Sequence, residues 1–244
     1  MEFTYVAYVN MLRILRNNDY VICGYHDYIQ HEKCVILRHD VDVSLEKALQ
    51  FAVIEKKHNA CSTYFILLSS DFYNIASAKS LCLINEIKNN GHEIGLHFDE
   101  ANYNYFPKQD ICSHIEREIR IMSEILEMEI STVSMHRPSK KSLTEDYKLQ
   151  NATNSYSKIF FEEFKYVSDS RRFWRESVID IISRNTFKKL HILTHAFWYS
   201  ENSVSASDVI KTFVNSASVD RYNIISDNIT DIEEFMKPQD ILVL

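Results

Sequence analysis

A chain of 244 residues with 45% hydrophobic content is long enough to bury a large core as one α/β domain or two small ones, and a single domain over 1–244 is the expectation. Its 27 Lys and Arg against 34 Asp and Glu leave a formal charge of -7, which argues against a non-specific nucleic-acid partner because phosphate binding needs a basic face. Basic residues cluster only locally, at HRPSKK and RRFWR.

With three glycines and three prolines, punctuation is sparse and the elements must be read from periodicity. Phe3, Val6, Val9, Met11, Leu12 and Leu15 fall at mostly helical spacing and predict a first helix over 3–17, followed by a short strand at VICGY. A regular rhythm then sets in. A strand CVILRHD leads to a helix SLEKALQFAVIEKKH capped by Ser44, and a second strand CSTYFILL follows. Next come a helix SAKSLCLINEIKNNG that stops at Gly91, a strand HEIGLHF, and a charged helix DICSHIEREIRIMSEILEME. The strand STVSMHR precedes a middle section without clear periodicity; then come KYVSDS, a helix or loop around SVIDIISRN, and a strand KLHILTH. Strands alternating with helices predict a parallel sheet, either closed as a barrel or open and doubly wound.

The five cysteines, at positions 23, 34, 61, 82 and 112, form no CxxC pair and sit mostly in apolar runs, the pattern of reduced structural thiols in a cytoplasmic protein. The beginning MEFTYVAYVNMLRIL carries an early acid and no long apolar stretch, and no later run reaches membrane-spanning length, so a cytoplasmic location without a transmembrane segment is expected.

The polar residues collect at strand ends. Four strands end in RHDVD, GLHFD, MHRPS and LTH, and a fifth ends in SDS, where α/β active sites gather on the loops after the strands. Asp40 and Asp42 are two apart, so on an extended strand both project to one side together with Arg38. Two such carboxylates repel when ionised, and one needs a cation, a proton or a metal. The structural alternative has Asp42 capping the following helix while Asp40 pairs with Arg38. His97 ends its strand either as a metal ligand or as a satisfied polar residue, whereas His92 lies at the opposite end and reads as structural. Arg137 carries a permanent charge in a fixed fork and suits holding Asp40 ionised and oriented; the alternative is a surface ion pair, and Arg–Pro also ends a strand cleanly. Trp174 and Trp198 can wall a sugar subsite or can be ordinary core residues. His195, with an unperturbed pKa near neutral, is a candidate general acid.

The ordered set RHDVD, GHEIGLHFD, HRPS, SDSRRFW and LTH resembles the motifs of the polysaccharide deacetylase superfamily, carbohydrate esterase family four with its NodB homology domain, over residues 33–198. The likeness is to the bacterial branch with RHDVD and GHEIGLH signatures in surface-polysaccharide biosynthesis. The resemblance implies a distorted (β/α) barrel of about seven strands that binds one divalent metal, most commonly zinc. It implies Asp40 as catalytic base, Asp42 and His97 as metal ligands, Arg137 as the arginine that orients the base with Asp169 as its partner, and His195 as catalytic acid. The usual HxxxH pair would place a second histidine at 101, where this chain has Ala101. The missing donor is then sought among His136, Asp99 and His195, with His136 first and Asp99 in reserve, although alternation turns adjacent His136 and Arg137 to opposite sides of a regular strand.

The implied reaction is hydrolysis of the N-acetyl or another acyl group from an amino sugar, nucleotide-linked, lipid-linked or part of an oligosaccharide. An ester or a formamide is open to the same site. A rival reading is a catalytically idle carbohydrate-binding or assembly protein that lost its ligand at Ala101.

Overall fold

The run Cys34–Val41 is buried at all eight positions, the pattern of a parallel strand covered on both faces. In the computed structural model, which describes residues 1–103 and 110–241, it is the second strand of an all-parallel sheet. The strands are β1 (Val21–Cys23), β2 (Cys34–Val41), β3 (Thr63–Leu67), β4 (Glu93–Asp99), β5 (Thr132–His136), β6 (Thr153–Asn154), β7 (Lys165–Ser168) and β8 (Lys189–Thr194). Seven of them hydrogen-bond in the order β6-β5-β4-β3-β2-β8-β7, and β1 lies beside β2. The sheet curls into a half-barrel, in agreement with the distorted barrel expected from the motifs. Its two end strands, β6 and β7, share no pairing among the described residues and leave an open seam.

Both edges of β2 are used fully. β8 pairs with residues 34–39, while β1 covers 34–36 and β3 covers 38–41 on the other edge. Helices α1 (Tyr5–Asn17), α2 (Leu45–Lys57), α3 (Ala78–Asn89), α4 (Ile111–Leu126), α5 (Lys140–Thr144), α6 (Ile159–Glu162) and α7 (Val178–Arg184) complete the first unit. Ser44 caps α2 by accepting from the Lys47 amide, as its position before the periodic run predicts. Gly91, at φ +92°, takes the turn that ends α3. The section without clear periodicity holds α5, β6 and α6, all too short to show a period.

Alternation along the strands sorts the core into two layers. Val35, Leu37, Tyr64, Ile66, Ile94, Leu96, Phe98, Val133 and Ile192 face outward into the main core under the helices. The inner face holds a smaller apolar cluster of Cys23, Tyr25, Tyr28, Cys34, Ile36, Phe65, Phe160 and Phe164. Above it the interior turns polar, with Arg38 and His191 fully buried. The five cysteines are free thiols.

The chain divides into two compact units, Met1–Glu201 and Asn202–Leu244. The second contains α8 (Ala206–Ser226), capped by Ser205, with Tyr222 buried on it. Among the described residues no helix is long and apolar enough to cross a membrane.

Gly95 faces the barrel interior, and a Cβ there would meet the Phe65 ring and the Thr132 hydroxyl, each at 2.6 Å. Gly95→Ala is therefore expected to destabilise the protein by about 1–3 kcal/mol through overpacking. A urea melt checks this: the midpoint should fall at constant slope, and an unchanged midpoint would show that the interior yields.

Candidate active site

Because every strand runs the same way, all carboxyl ends meet at one rim. This brings Asp40 and Asp42 from β2 and its following turn beside His97 of β4, His136 of β5, Asp169 after β7 and His195 after β8. Three donor atoms converge there. His97 Nε2 lies 3.1 Å from Asp42 Oδ1, His136 Nδ1 lies 3.2 Å from the same oxygen, and the two imidazole nitrogens are 3.1 Å apart.

These residues form a possible metal-binding triad, Asp42, His97 and His136. The spacing suits one small cation, since tetrahedral zinc bonds of 2.0–2.1 Å put neighbouring ligand atoms about 3.3 Å apart. The donor chemistry fits as well, because two imidazole nitrogens and a carboxylate oxygen are a common donor set for a divalent transition metal. Burial alone would raise the Asp42 carboxyl, but hydrogen bonds from His136 and His97 and the charges of His97 and His195 outweigh it and hold Asp42 well below the usual carboxylate range. His136, the first choice for the donor that the resemblance leaves missing, lies with Asp42 and His97, whereas Ala101 lies in the 3₁₀ turn Glu100–Tyr103 beyond the strand end. The reserve choice, Asp99, is turned to other work: it accepts from the Ala101 amide at 3.1 Å and pairs with Arg137.

Asp40 is held differently from the expectation. Arg137 sits at φ +46° and carries its side chain out to Asp99, with 69% of that side chain exposed. Alternation had pointed to this outcome, since His136 turns inward and its neighbour cannot. The guanidinium on Asp40 belongs to Arg38, two residues earlier on the same strand and fully buried, with Nη2 2.8 Å from Asp40 Oδ2. Arg38 also donates to Ser134 at 2.7 Å and to Ser155 at 2.9 Å, and its Cζ lies 5.3 Å from the centre of the Phe65 ring and 5.1 Å from that of Tyr156. Burial would raise the Asp40 carboxyl, yet the charge of Arg38, aided by His97 and His195, brings it below its ordinary value, so Asp40 is ionised. Its second oxygen, Oδ1, is buried and has no hydrogen-bond partner among the described residues.

Asp169 likewise serves another partner. Fully buried, it takes His195 Nδ1 at 2.6 Å through one oxygen and accepts from the His195 amide at 3.1 Å through the other, so it orients the imidazole and not an arginine. Burial pulls His195 down, but the charge and hydrogen bond of Asp169, with Asp40 and Asp42 behind, push it up to about 9. Its free Nε2 lies 3.8 Å from Asp42 Oδ2.

The two tryptophans part company. Trp174 is only 9% exposed and belongs to the main core, so it is no open wall for a sugar. Trp198 is half-buried, with the Arg172 guanidinium 5.9 Å from its ring centre.

Behind the rim lies a buried network that periodicity did not disclose. Glu55 of α2 accepts from Tyr8 at 2.5 Å, Ser62 at 2.6 Å and Tyr64 at 2.7 Å, and His39 Nε2 stands 3.0 Å away. His39 Nδ1 reaches Thr194 at 2.6 Å, the residue before His195. His92, read as structural, sits here too, 3.1 Å from Ser62 and 3.0 Å from the Ala52 carbonyl. A glutamate within an otherwise apolar helix stripe was the available signal.

No protein-family model matches the sequence, and no curated protein matches it. Solved structures do. A CE4 family pseudoenzyme from Bacillus anthracis aligns at 16% identity with a TM-score of 0.45, covering 76% of this chain and 62% of that one. A polysaccharide deacetylase from Bacillus cereus aligns at 18% identity and TM-score 0.44, covering 76% and 89%. A peptidoglycan deacetylase from Bacillus subtilis aligns at 16% identity and TM-score 0.41, covering 76% and 85%. The chain is similar in structure to these proteins.

Zinc titration separates the third-ligand candidates: His136→Ala should weaken affinity by a large factor, about 10-fold or more, while Asp99→Ala should leave it nearly unchanged. The reverse ranking would remove His136 from the site. A second contrast concerns the arginines. Arg38→Met leaves Asp40 buried without its counter-charge and should cost about 3–5 kcal/mol of stability, whereas Arg137→Met removes a largely exposed side chain and leaves the buried Asp99 its Ala101 amide donor, so the denaturation midpoint should fall less than in Arg38→Met.

Proposed function

We propose that this chain is a metal-dependent hydrolase that removes an N-acetyl group from an amino sugar. The observation that carries the reading is the grouping at one rim of three metal-type donors, an ionised aspartate with one free oxygen, and a histidine held cationic by a second aspartate. The amino-sugar substrate, of cell-surface polysaccharide biosynthesis, is the class that the motif resemblance implies. His136 as a third donor favours catalysis over the idle reading that Ala101 suggested.

Asp42, His97 and His136 are the residues that would hold the cation, for which zinc suits the nitrogen and oxygen donors. Such an ion supplies polarisation of the acyl carbonyl and acidification of a water molecule. The protein's own groups do the proton work. Asp40, kept ionised by Arg38 and with Oδ2 3.8 Å from His97 Nε2, takes the proton of the attacking water. As the amide C–N bond breaks, His195 gives its Nε2 proton to the departing amine, while Asp169 keeps Nδ1 protonated and the ring in place. Products are acetate and the free amino sugar.

Two outcomes test this. Asp40→Asn keeps the shape but cannot accept the proton, so acetate release from N-acetylated sugars should fall about a hundred- to ten-thousand-fold with metal content retained. Near-normal turnover would remove Asp40 from the role. His195 must be protonated to act, so the rate should decline as pH rises through about 9. Replacing Asp169 with Asn removes the main upward influence and should move that alkaline limb to lower pH. An unmoved limb in the pH–rate profile would mean that His195 is not the acid.

A further inference from the structure

The open seam between β6 and β7 contains a pocket of about 310 Å³ that the reaction just described does not use. Its walls include Tyr156 after β6, Phe161 of α6, and Tyr166 and Ser168 of β7, with Arg175 and Glu176 at its edge. The rings adjoin at a tilt: Tyr156 and Phe161 are 5.7 Å apart between centroids at 46°, and Phe161 and Tyr166 are 5.0 Å apart at 52°. Phe161 is 40% exposed, so part of its ring is open to a ligand.

Two wall residues of the pocket neighbour the residues that position the catalytic groups. Tyr156 lies against the Arg38 guanidinium that holds Asp40, and Ser168 immediately precedes Asp169, which holds His195. On the proposed reading, the acyl group lies at the rim and the neighbouring ring of the substrate is the group offered to the seam. The charges in the pocket are unequal. Glu176 is neutralised by Lys165 at 2.6 Å, whereas Arg175 has no ion-pair partner among the described residues.

We propose that this seam pocket is a subsite for a second pyranose-sized group bearing an anion, stacked on Phe161 with Tyr156 and Tyr166 and gripped at its phosphate or carboxylate by Arg175. The inference rests on the proposed deacylation, because it takes the rim as the reacting end. Aromatic faces bind the C–H face of a sugar ring, and a guanidinium fork matches a carboxylate or a phosphate in two-point fashion. The anion has two sources, a uronic acid in the chain or a glycosyl phosphate at its end.

Calorimetric titration of the metal-loaded protein in the Asp40→Asn background, where the probes are not consumed, tests the proposal with an N-acetylglucosamine–glucuronate disaccharide, di-N-acetylchitobiose 1-phosphate, and neutral di-N-acetylchitobiose, while acetate release is assayed with Asp40 intact. At least one anionic probe should bind more tightly than the neutral one, and Arg175→Ala should weaken that probe about tenfold or more while sparing the neutral sugar. Phe161→Ala should weaken both kinds. Which anionic probe responds identifies the source of the anion. The subsite is overturned if neither anionic probe binds the protein with Arg175 intact, if Arg175→Ala changes nothing, or if it weakens the neutral sugar equally. Both side chains are exposed, so the variants are expected to fold, and matching circular dichroism melts verify this. Binding is read without turnover: Arg175-dependent binding with no acetate release from any probe would contradict the proposed function alone, while acetate release without Arg175 dependence would contradict the subsite alone.

Discussion

A guanidinium buried to 0% exposure inside a barrel is the constraint around which this rim is organised. Taking Arg38 out of water costs several kcal/mol unless its charge is met and its donors are used. Asp40 meets the charge, and Ser134 and Ser155 take further donors, so one side chain ties β2 to β5 and to the turn after β6. That requirement fixes the inner face of the sheet. It also decides the chemistry of Asp40: one oxygen is committed to Arg38, the other is left bare, and the carboxylate stays ionised despite its burial.

The opposite face of the same strand is fastened by a second charge. His39 points outward between Arg38 and Asp40 and meets Glu55, whose burial would raise its carboxyl but whose histidine and hydroxyl partners bring it down to about 2. Through His39 this network reaches Thr194, one residue before His195. The proposed base and the proposed acid are therefore anchored to one polar lattice spread over α1, α2, β2, β3 and β8. A site that must hold several groups within a fraction of an ångström benefits from such rigid support.

Much of this was legible in the chain. Alternating strands and helices indicated the parallel sheet, and polar strand ends marked the rim, because both follow from local periodicity. His136, ranked first among the candidates from its position beside a motif, lies with Asp42 and His97 at the rim. The less legible parts depend on which side chains meet across the fold. Arg137 occupies a motif and looked like the partner of Asp40, yet a positive φ turns it outward, and the structural alternative of an Arg38–Asp40 pair is what the fold contains. Asp169 lies far from His195 in sequence, and nothing local announces their contact. Trp174 looked like a sugar wall because aromatics read alike in a core and in a cleft. β6, only two residues long, leaves no period to find, although its strand position creates the seam.

The account stands or falls on whether Asp42, His97 and His136 jointly hold a divalent cation. X-ray absorption spectroscopy of the zinc-loaded protein addresses this without any assay of turnover. The expected spectrum shows two imidazoles with oxygen donors completing the shell, and one imidazole in the His136→Ala variant. A single imidazole in the unaltered protein, sulfur scattering from a cysteine, or an unchanged spectrum in the variant would contradict it.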